Sequence, residues 1–378
     1  MNACILIAVT HLLGIGHLVR ARQLARALAG AGHEVTLVSG GMPDGKAADY
    51  RFVQLPPVRT QGTDFRNLLD EDSKSATPER LAARRDQLVA LAHELSPDIV
   101  ITEHFPFGRR QLADEFLALI AAVKAANPRA LVLSSIRDVL VAPQRSDRLA
   151  ETAGRIAMLF DAVLVHGDSR VLPLEASWPV TPEIAGKLVY TGYLAEPPAL
   201  PASAIGTSGT ILVSGGGSAA ALPLFETALA AARLLPQGAF HLLIGRGVSE
   251  VDFAALRQSA PDNAVVEWAR PDFPALLATC ALSISQAGYN TVLDLLQATR
   301  PALLVPFDAG NETEQALRAA ALERAGRARV LKLAEGPQAL AAAIEAALAQ
   351  GVPPAATVDL DGAMGSVAAI AKLLAGRA

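Results

Sequence analysis

The chain has 378 residues, of which 51% are apolar and only 4% aromatic, so two ordinary domains with cores of Ala, Leu, Val and Ile are expected, the composition of helices packed on parallel strands. A net charge of −4 leaves no polybasic footprint for nucleic acid, and no apolar run reaches the ~18 residues of a membrane span. Cys4 and Cys280 are the only cysteines; they give no metal spacing and read as buried free thiols in a reducing compartment.

The N-terminus, MNACILIAVTHLLGIGH, lacks the basic start of a signal peptide and continues into a helix bearing Arg20, Arg22 and Arg26, so it reads as the first strand of a cytoplasmic domain. Ala3 to Thr10 is that strand, Leu18 to Ala29 a helix with Leu18, Ala21, Leu24, Ala25 and Leu28 on one face, and His33 to Ser39 the second strand. This βαβ opening belongs to a Rossmann-like sheet, in which ligands bind at the carboxyl ends of the strands. Gly14, Gly16 and His17 stand at that end. His17 is placed either as a general base near neutral pH or as a packed helix-start histidine. Gly40 to Thr77 reads as an irregular polar loop, with Arg59, Asp64 and Arg66 as candidates against a solvated alternative. Pro78 to Leu95 is an amphipathic helix. The strand Ile99 to Thr102 leads to Glu103 and His104, where a carboxylate can orient a histidine and raise its basicity. Arg109 and Arg110 either bind an anionic acceptor or cap the loop. A helix to about Ala126 follows, then Leu131 to Ser135, a strand ending at Arg137 and Asp138, which pair or line a cleft. Ala150 to Phe160 is helical, and Ala162 to Val165 and Val189 to Tyr193 close the sheet.

Residues 195–209, AEPPALPASAIGTSG, form the linker. Thr210 to Val213 opens a second α/β domain, and Ser214, Gly215, Gly216, Gly217 and Ser218 stand between its first strand and the helix Ala219 to Leu234. Such a turn offers backbone N–H groups to a phosphate, or serves only tight packing. His241 to Gly245 is a strand followed by Arg246, a phosphate or base contact or a solvated residue. Val265 to Trp268 is a strand, and Asp272 to Thr279 a helix. The stretch SISQAGYNTVLDLLQATRPALLVPFDAGNETEQ, Ser283 to Gln315, organises the second half. A buried strand (Ala281 to Ile284) runs into Gln286, Ala287 and Gly288, and a helix starts near Asn290 carrying Thr291 and Asp294. Strand, glycine turn and helix start make an anion site, because the first N–H groups of a helix lack partners and the dipole is positive there; Asp294 is positioned for the vicinal hydroxyls of a ribose. The plain alternative is an ordinary α/β unit. Ala302 to Phe307 is a strand leading by a polar loop, residues 308–312, to Glu314 and Gln315, which begin a helix and can bond sugar hydroxyls. Arg329 to Leu333 is the last strand, and two Ala-rich helices close the chain.

Ser285, Gly288, Thr291, Asp294, Val305, Pro306 and Gln315 together resemble the donor-binding segment of GT-B nucleotide-sugar glycosyltransferases. The pattern is similar to that of the peptidoglycan N-acetylglucosaminyl transferases and of the nucleotide-sugar hydrolase of pseudaminic acid synthesis. Gly14-Ile15-Gly16-His17-x-x-Arg20 resembles the same group in the expected order. Two positions depart from the pattern: Asp294 stands where Glu is usual, and Gln286 where Arg or Lys is common. The resemblance implies two Rossmann-like domains facing across a cleft: residues 1–198 on the acceptor side, 199–360 on the donor side, and 361–378 as a helix returning to the first domain. It implies an inverting, metal-independent transferase using a nucleotide sugar, UDP-linked, as co-substrate and no other cofactor. His17 would be the base; Glu103 and His104 are catalytic candidates from their own place at a strand end, facing the cleft. Gly14 and Gly16, the Ser214 to Ser218 loop, Arg246 and the turn Gln286 to Asn290 would contact the donor, Trp268, Ala269 and Arg270 would lie near the base, and the acceptor loops would fall in Gly40 to Thr77. Peripheral contact with a membrane stays open. The alternative is a nucleotide-sugar hydrolase, with His17 activating water. A 2-epimerase would need acidic residues at the sugar C2 that the sequence does not locate, and a non-catalytic nucleotide-binding module would be indifferent to His17.

Overall fold

A computed structural model describes residues 2–61, 64–195, 209–217, 219–307, 313–354 and 357–377, with the backbone alone at 61 and 64–66. The chain forms two compact units: Met1–Ser169, Pro173–Leu194 and Asp361–Ala378 make the first, Arg170–Leu172 and Ala195–Leu360 the second. Most of the proline-rich stretch expected as a linker, residues 196–208, lies outside the described residues, as do Ser218 and the loop 308–312.

In chain order the first unit contains β1 (Cys4–Val9), α1 (Gly16–Gly30), β2 (Glu34–Ser39), β3 (Arg51–Gln54), β4 (Arg59–Gln61), β5 (Asp64–Leu69), α2 (Pro78–Leu95), β6 (Ile99–Glu103), α3 (Ala113–Ala126), β7 (Leu131–Arg137), α4 (Ser146–Leu159), β8 (Ala162–His166), α5 (Pro182–Ala185) and β9 (Leu188–Tyr190). Its main sheet has the order β3-β2-β1-β6-β7-β8-β9, all parallel. The near-continuous apolar run of β1 follows from burial on both faces. Leu6 and Ala8 join the core under α2 and α3, while Ile5, Ile7 and Val9 pack against the leucines of α1. The chain winds outward from β1 to β3, then returns to β6. The crossovers therefore diverge between β1 and β6, and the carboxyl ends of those two strands are left open.

The second unit contains β10 (Thr210–Ser214), α6 (Leu222–Leu234), β11 (Ala239–Ile244), α7 (Glu250–Ser259), β12 (Ala264–Trp268), α8 (Phe273–Thr279), β13 (Leu282–Ser285), α9 (Tyr289–Ala298), β14 (Ala302–Leu304), α10 (Glu314–Arg324), β15 (Arg329–Val330) and α11 (Gly336–Gln350). The parallel order is β12-β11-β10-β13-β14-β15, with the switch point between β10 and β13. One face packs under α6 and α11, the other under α8, α9 and α10. The last helix, α12 (Gly362–Ala375), belongs to the first unit. Its Ile370 joins the core of α1, and Gly362 and Gly365 lie so close to the backbone of Thr191, Gly192 and Tyr193 that a Cβ at either would overlap it. No helix among the described residues is long and apolar enough to cross a membrane.

The structure differs from the sequence reading in several elements. Gly40 to Thr77 is not wholly irregular: β3 adds an edge strand and β4–β5 an antiparallel ribbon. Edge strand β3, with no fully buried residue, lacks the apolar run that betrays an interior strand. Helix α7 was not expected, although Ser249 caps it by accepting the Asp252 N–H at 3.1 Å; only Phe253 and Leu256 are buried, too few for a clear period. Strand β14 ends at Leu304 rather than Phe307, with the Phe307 N–H turned to a side chain.

Candidate active site

In the first unit the site forms where β1 and β6 part. β1 ends at Val9, Gly14 takes a left-handed φ of 65°, and α1 begins at Gly16, which sets His17 in its first turn. Glu103 ends the neighbouring strand. His17 Nδ1 lies 2.8 Å from Glu103 Oε1, and Arg20, one turn along α1, donates to the same oxygen while its Nη2 stands 3.1 Å from His17 Nδ1. An ionised carboxylate only accepts, so it fixes the proton on Nδ1 and leaves Nε2 as the basic nitrogen. The His17 side chain is 16% exposed against 1% for Glu103, so the imidazole is reachable and its partner is not. Burial pushes the imidazole down to about 3, against the pull of Glu103 in the other direction. For Glu103 burial acts to raise the carboxyl, but His17 and Arg20 outweigh it and hold it well below the usual carboxylate range. The arrangement is a neutral, oriented imidazole over an ionised carboxylate.

The expected pairing of Glu103 with His104 is corrected. Strand β6 ends at Glu103, whose carboxylate bonds His17 rather than its chain neighbour. His104 takes a φ of 65° and presents its ring beside His17, centroids 5.3 Å apart. Gly108 makes room for that ring, which a Cβ there would overlap. Burial, then Arg109 and His17, hold His104 well below its usual value. Arg109 follows in the same loop, its Nε buried and without a partner. Burial lowers it to about 10, with Glu103 opposing and Arg137 and Arg20 adding. Arg110 is exposed. Asp138 is spent on the Val139 N–H at 2.9 Å and faces the Tyr193 hydroxyl at 3.5 Å. Arg59 bonds Ser73, and the side chains of Asp64 and Arg66 lie outside the description. His166, which the sequence places at a strand carboxyl end without a role, closes β8 fully buried between Ser135 Oγ (2.9 Å) and Thr191 Oγ1 (2.8 Å).

In the second unit Ser214 and Ser285 end the two strands of the switch point in direct register. Both side chains are more than nine-tenths buried, and neither hydroxyl has a partner. Around them stand two sources of backbone N–H. The first is the glycine loop. Gly215 is required by packing, since a Cβ there would overlap Ala221, and Gly216 has a left-handed φ of 68°. Gly245 lies so close that its Cβ would overlap the Gly216 carbonyl, and the Gly247 N–H donates to Gly217 O at 3.0 Å. The second is the start of α9, whose N-cap, Gly288, supplies no side-chain cap. Gly288 has an ordinary φ of −64°, and a Cβ there would meet nothing nearer than Thr291 Oγ1 at 3.9 Å, so neither conformation nor packing demands glycine. Asn290 is exposed, and Thr291 and Asp294 are half-buried on α9. Among the described residues no group of three or more His, Cys, Asp or Glu is arranged to hold a metal ion.

Several expected donor contacts have other work. Gln315 Oε1 accepts the N–H of Ala287 and of Phe307, each at 3.1 Å, so it ties the ends of β13 and β14 together. Glu314 pairs with Arg318 at 3.0 Å, and Arg318 Nη1 donates to Ala287 O at 2.7 Å. The Ala287 peptide is thus gripped on both sides by α10; the Glu314–Arg318 spacing of four residues was the signal for this pair. Gln286 reaches Ala220 O at 3.4 Å. The Trp268 ring stacks on Phe253 at 3.9 Å, with the Arg246 guanidinium 5.0 Å from its centroid. The Ala269 N–H is spent on Ile244 O at 2.8 Å, and Arg270 on Asp272 and Glu267.

Residues 210–359 match the glycosyltransferase family 28 C-terminal domain. Over 177 residues the chain is 35% identical to the UDP-N-acetylglucosamine--N-acetylmuramyl-(pentapeptide) pyrophosphoryl-undecaprenol N-acetylglucosamine transferase of Brucella suis, covering 43% of this chain and 46% of the relative. The protein of the same name in Brucella anthropi is 34% identical over 43% and 47%. The chain therefore spans about half the length of the curated relatives it matches. Among solved structures, Acinetobacter baumannii MurG superposes with a TM-score of 0.62 at 17% identity, over 98% of this chain and 99% of that one. The calicheamicin glycosyltransferase CalG4 gives 0.61 at 16% over 97% and 93%, and the glycosyltransferase VinC, in complex with dTDP, 0.59 at 18% over 99% of both. The chain has the GT-B fold of these glycosyltransferases, with two Rossmann-like units, and residues 210–359 of the second match the glycosyltransferase family 28 C-terminal domain.

Proposed function

We propose that this chain is an inverting glycosyltransferase that moves a sugar from a UDP-linked donor to an acceptor hydroxyl without a metal ion. His17 carries the reading: Glu103 holds Nδ1 at 2.8 Å and leaves a neutral Nε2 to accept the hydroxyl proton as the acceptor oxygen attacks the anomeric carbon. The bond from that carbon to the diphosphate breaks, the electron pair leaves on the diphosphate, and Glu103 stabilises the imidazolium that forms. The diphosphate is received by the hydroxyls of Ser214 and Ser285, the amides of the glycine loop and the start of α9. Asp294 takes the ribose hydroxyls. The UDP in the names of the curated relatives supports that nucleotide. Beside this network Arg109, a guanidinium whose buried Nε has no partner, suits an acceptor with a negatively charged group. Leu13 and Ile15, exposed at 52% and 48% on the loop before His17, suit one with an apolar part.

The test is UDP release by the purified protein from a panel of UDP-sugars. The expected result is negligible release without an acceptor, together with thermal stabilisation by UDP, which at 100 times Kd adds about 2.7 kcal/mol. Fast acceptor-free release that depends on His17 would make water the acceptor and overturn transfer; no stabilisation by UDP or other nucleotides would overturn the donor site.

A further inference from the structure

The donor and base residues all stand at carboxyl ends of strands. The opposite rim of the second unit's sheet has a site of its own. A cavity of about 240 Å³ opens where β14 and β15 begin and α10 and α11 end, lined by Pro301, Ala302, Glu323, Arg327, Arg329 and Gly351 among others. Arg327 is 6% exposed, and its Nε and Nη1 are buried without a hydrogen-bond partner. Burial lowers its pKa, and no charged group offsets that. Three other polar side chains of the cavity are each engaged through one atom. Glu323 Oε1 accepts the Val330 N–H at 2.9 Å, and Arg329 Nε donates to Gln350 Oε1 at 3.0 Å. The end of α10 is closed on itself: the N–H groups of Gly326 and Arg327 donate to Glu323 O and Leu322 O, both at 2.9 Å, with Gly326 at a left-handed φ of 67°. The negative ends of two helices favour a guanidinium nearby, but they leave its N–H groups unanswered.

We propose that this cavity binds the oxyanion of a small molecule, a phosphate or a carboxylate, on Arg327. A planar guanidinium with free N–H groups is the side chain that matches such an anion, and a buried unpaired charge is costly unless a partner arrives. The site would be a second ligand site, remote from the strand ends of the proposed donor, and it stands whether or not the transferase reading does. The experiment is isothermal titration of the full chain with inorganic phosphate and, separately, acetate, with UDP present throughout to occupy the proposed diphosphate site. The expected result is saturable binding of one anion, weakened at least about tenfold in Arg327→Met and less in Arg327→Lys, and the anion that binds names the class. In anion-free buffer Arg327→Met should melt at or above the wild type, because an unpaired buried charge has been removed. Equal binding by wild type and Arg327→Met would mean an adventitious ion only and overturn the proposal, as would no binding of either anion. A marked loss of folding or melting temperature in Arg327→Met would make the guanidinium structural and overturn it too.

Discussion

The switch point of the first unit is crowded with charge, and that of the second is almost free of it. At the ends of β1 and β6 a carboxylate, a guanidinium and two imidazoles are in contact, and the charges of Arg109 and Arg137 act on them. Between β10 and β13 the same topology holds two serines, a glycine loop and an uncapped helix start. Side chains that exchange protons need neighbours that fix their tautomer and charge, so they come as a network. A large anion needs many weak donors and room for close approach, which backbone amides and glycine provide. On the proposed function one scaffold presents two chemistries, and substitutions should separate them: changes in the first unit should act on rate, changes in the second on affinity.

The largest effect is expected at His17. His17→Ala should lower kcat about 100- to 10,000-fold while leaving UDP affinity and melting temperature near those of the wild type. Glu103→Gln should act in the same direction, because a neutral amide no longer stabilises the imidazolium. Steady-state kinetics beside a UDP titration checks both, and a matching loss of UDP affinity would join what the comparison separates.

Glycines of the second unit come next. Gly245→Ala forces a Cβ onto the Gly216 carbonyl and should cost about 1–3 kcal/mol, as overpacking does. Gly288→Ala meets no obstacle and should change stability by less than about 0.5 kcal/mol, yet weaken UDP binding. Chemical denaturation and nucleotide titration of the pair would separate a glycine kept for packing from one kept for a ligand.

A third effect is on pH. His17 and His166 are both held at about 3 by burial, below the ~6.5 of an unfolded histidine. The unfolded chain then binds more protons between those values, so stability is full above about pH 6.5 and is lost as pH falls toward 3. Glu103, also depressed, adds to the loss below its unfolded value. Melting temperatures from pH 8 to 5 should fall only below about 6.5, and His166→Asn should flatten the slope.

The contrast also explains what the sequence disclosed. Both sheets were legible, because strands such as Ile99–Glu103 are buried on both faces and read as unbroken apolar runs. His17, Arg20 and Glu103 were legible as residues at strand and helix ends, but not their partnership: His17 and Glu103 are 86 positions apart, and only the β1–β6 pairing joins them. The adjacency of Glu103 and His104 suggested the wrong pair. In the second unit the glycine turn was plain, whereas the grip of Gln315 and Arg318 on Ala287 was not. Gln315 reads as a sugar contact, and nothing singles out Arg318, until the helix is docked against the turn. Strand β3 and helix α7 bury too little apolar surface to set up a period.

The smallest effect on stability, and the sharpest on the comparison, belongs to Ser214 and Ser285. A buried hydroxyl without a partner costs desolvation and returns nothing, so replacing it by Ala should be neutral or slightly stabilising. The two serines stand in register on neighbouring strands at the end of the sheet, and neither hydroxyl has a hydrogen-bond partner. Ser214→Ala and Ser285→Ala should therefore hold or raise the melting temperature of the free protein by a small margin, and each should weaken UDP binding. The gap between mutant and wild type should then widen as UDP is added, since the ligand stabilises in proportion to its affinity. If the variants instead melt lower without nucleotide and bind UDP as the wild type does, the hydroxyls serve the fold, and the diphosphate is held by backbone amides alone.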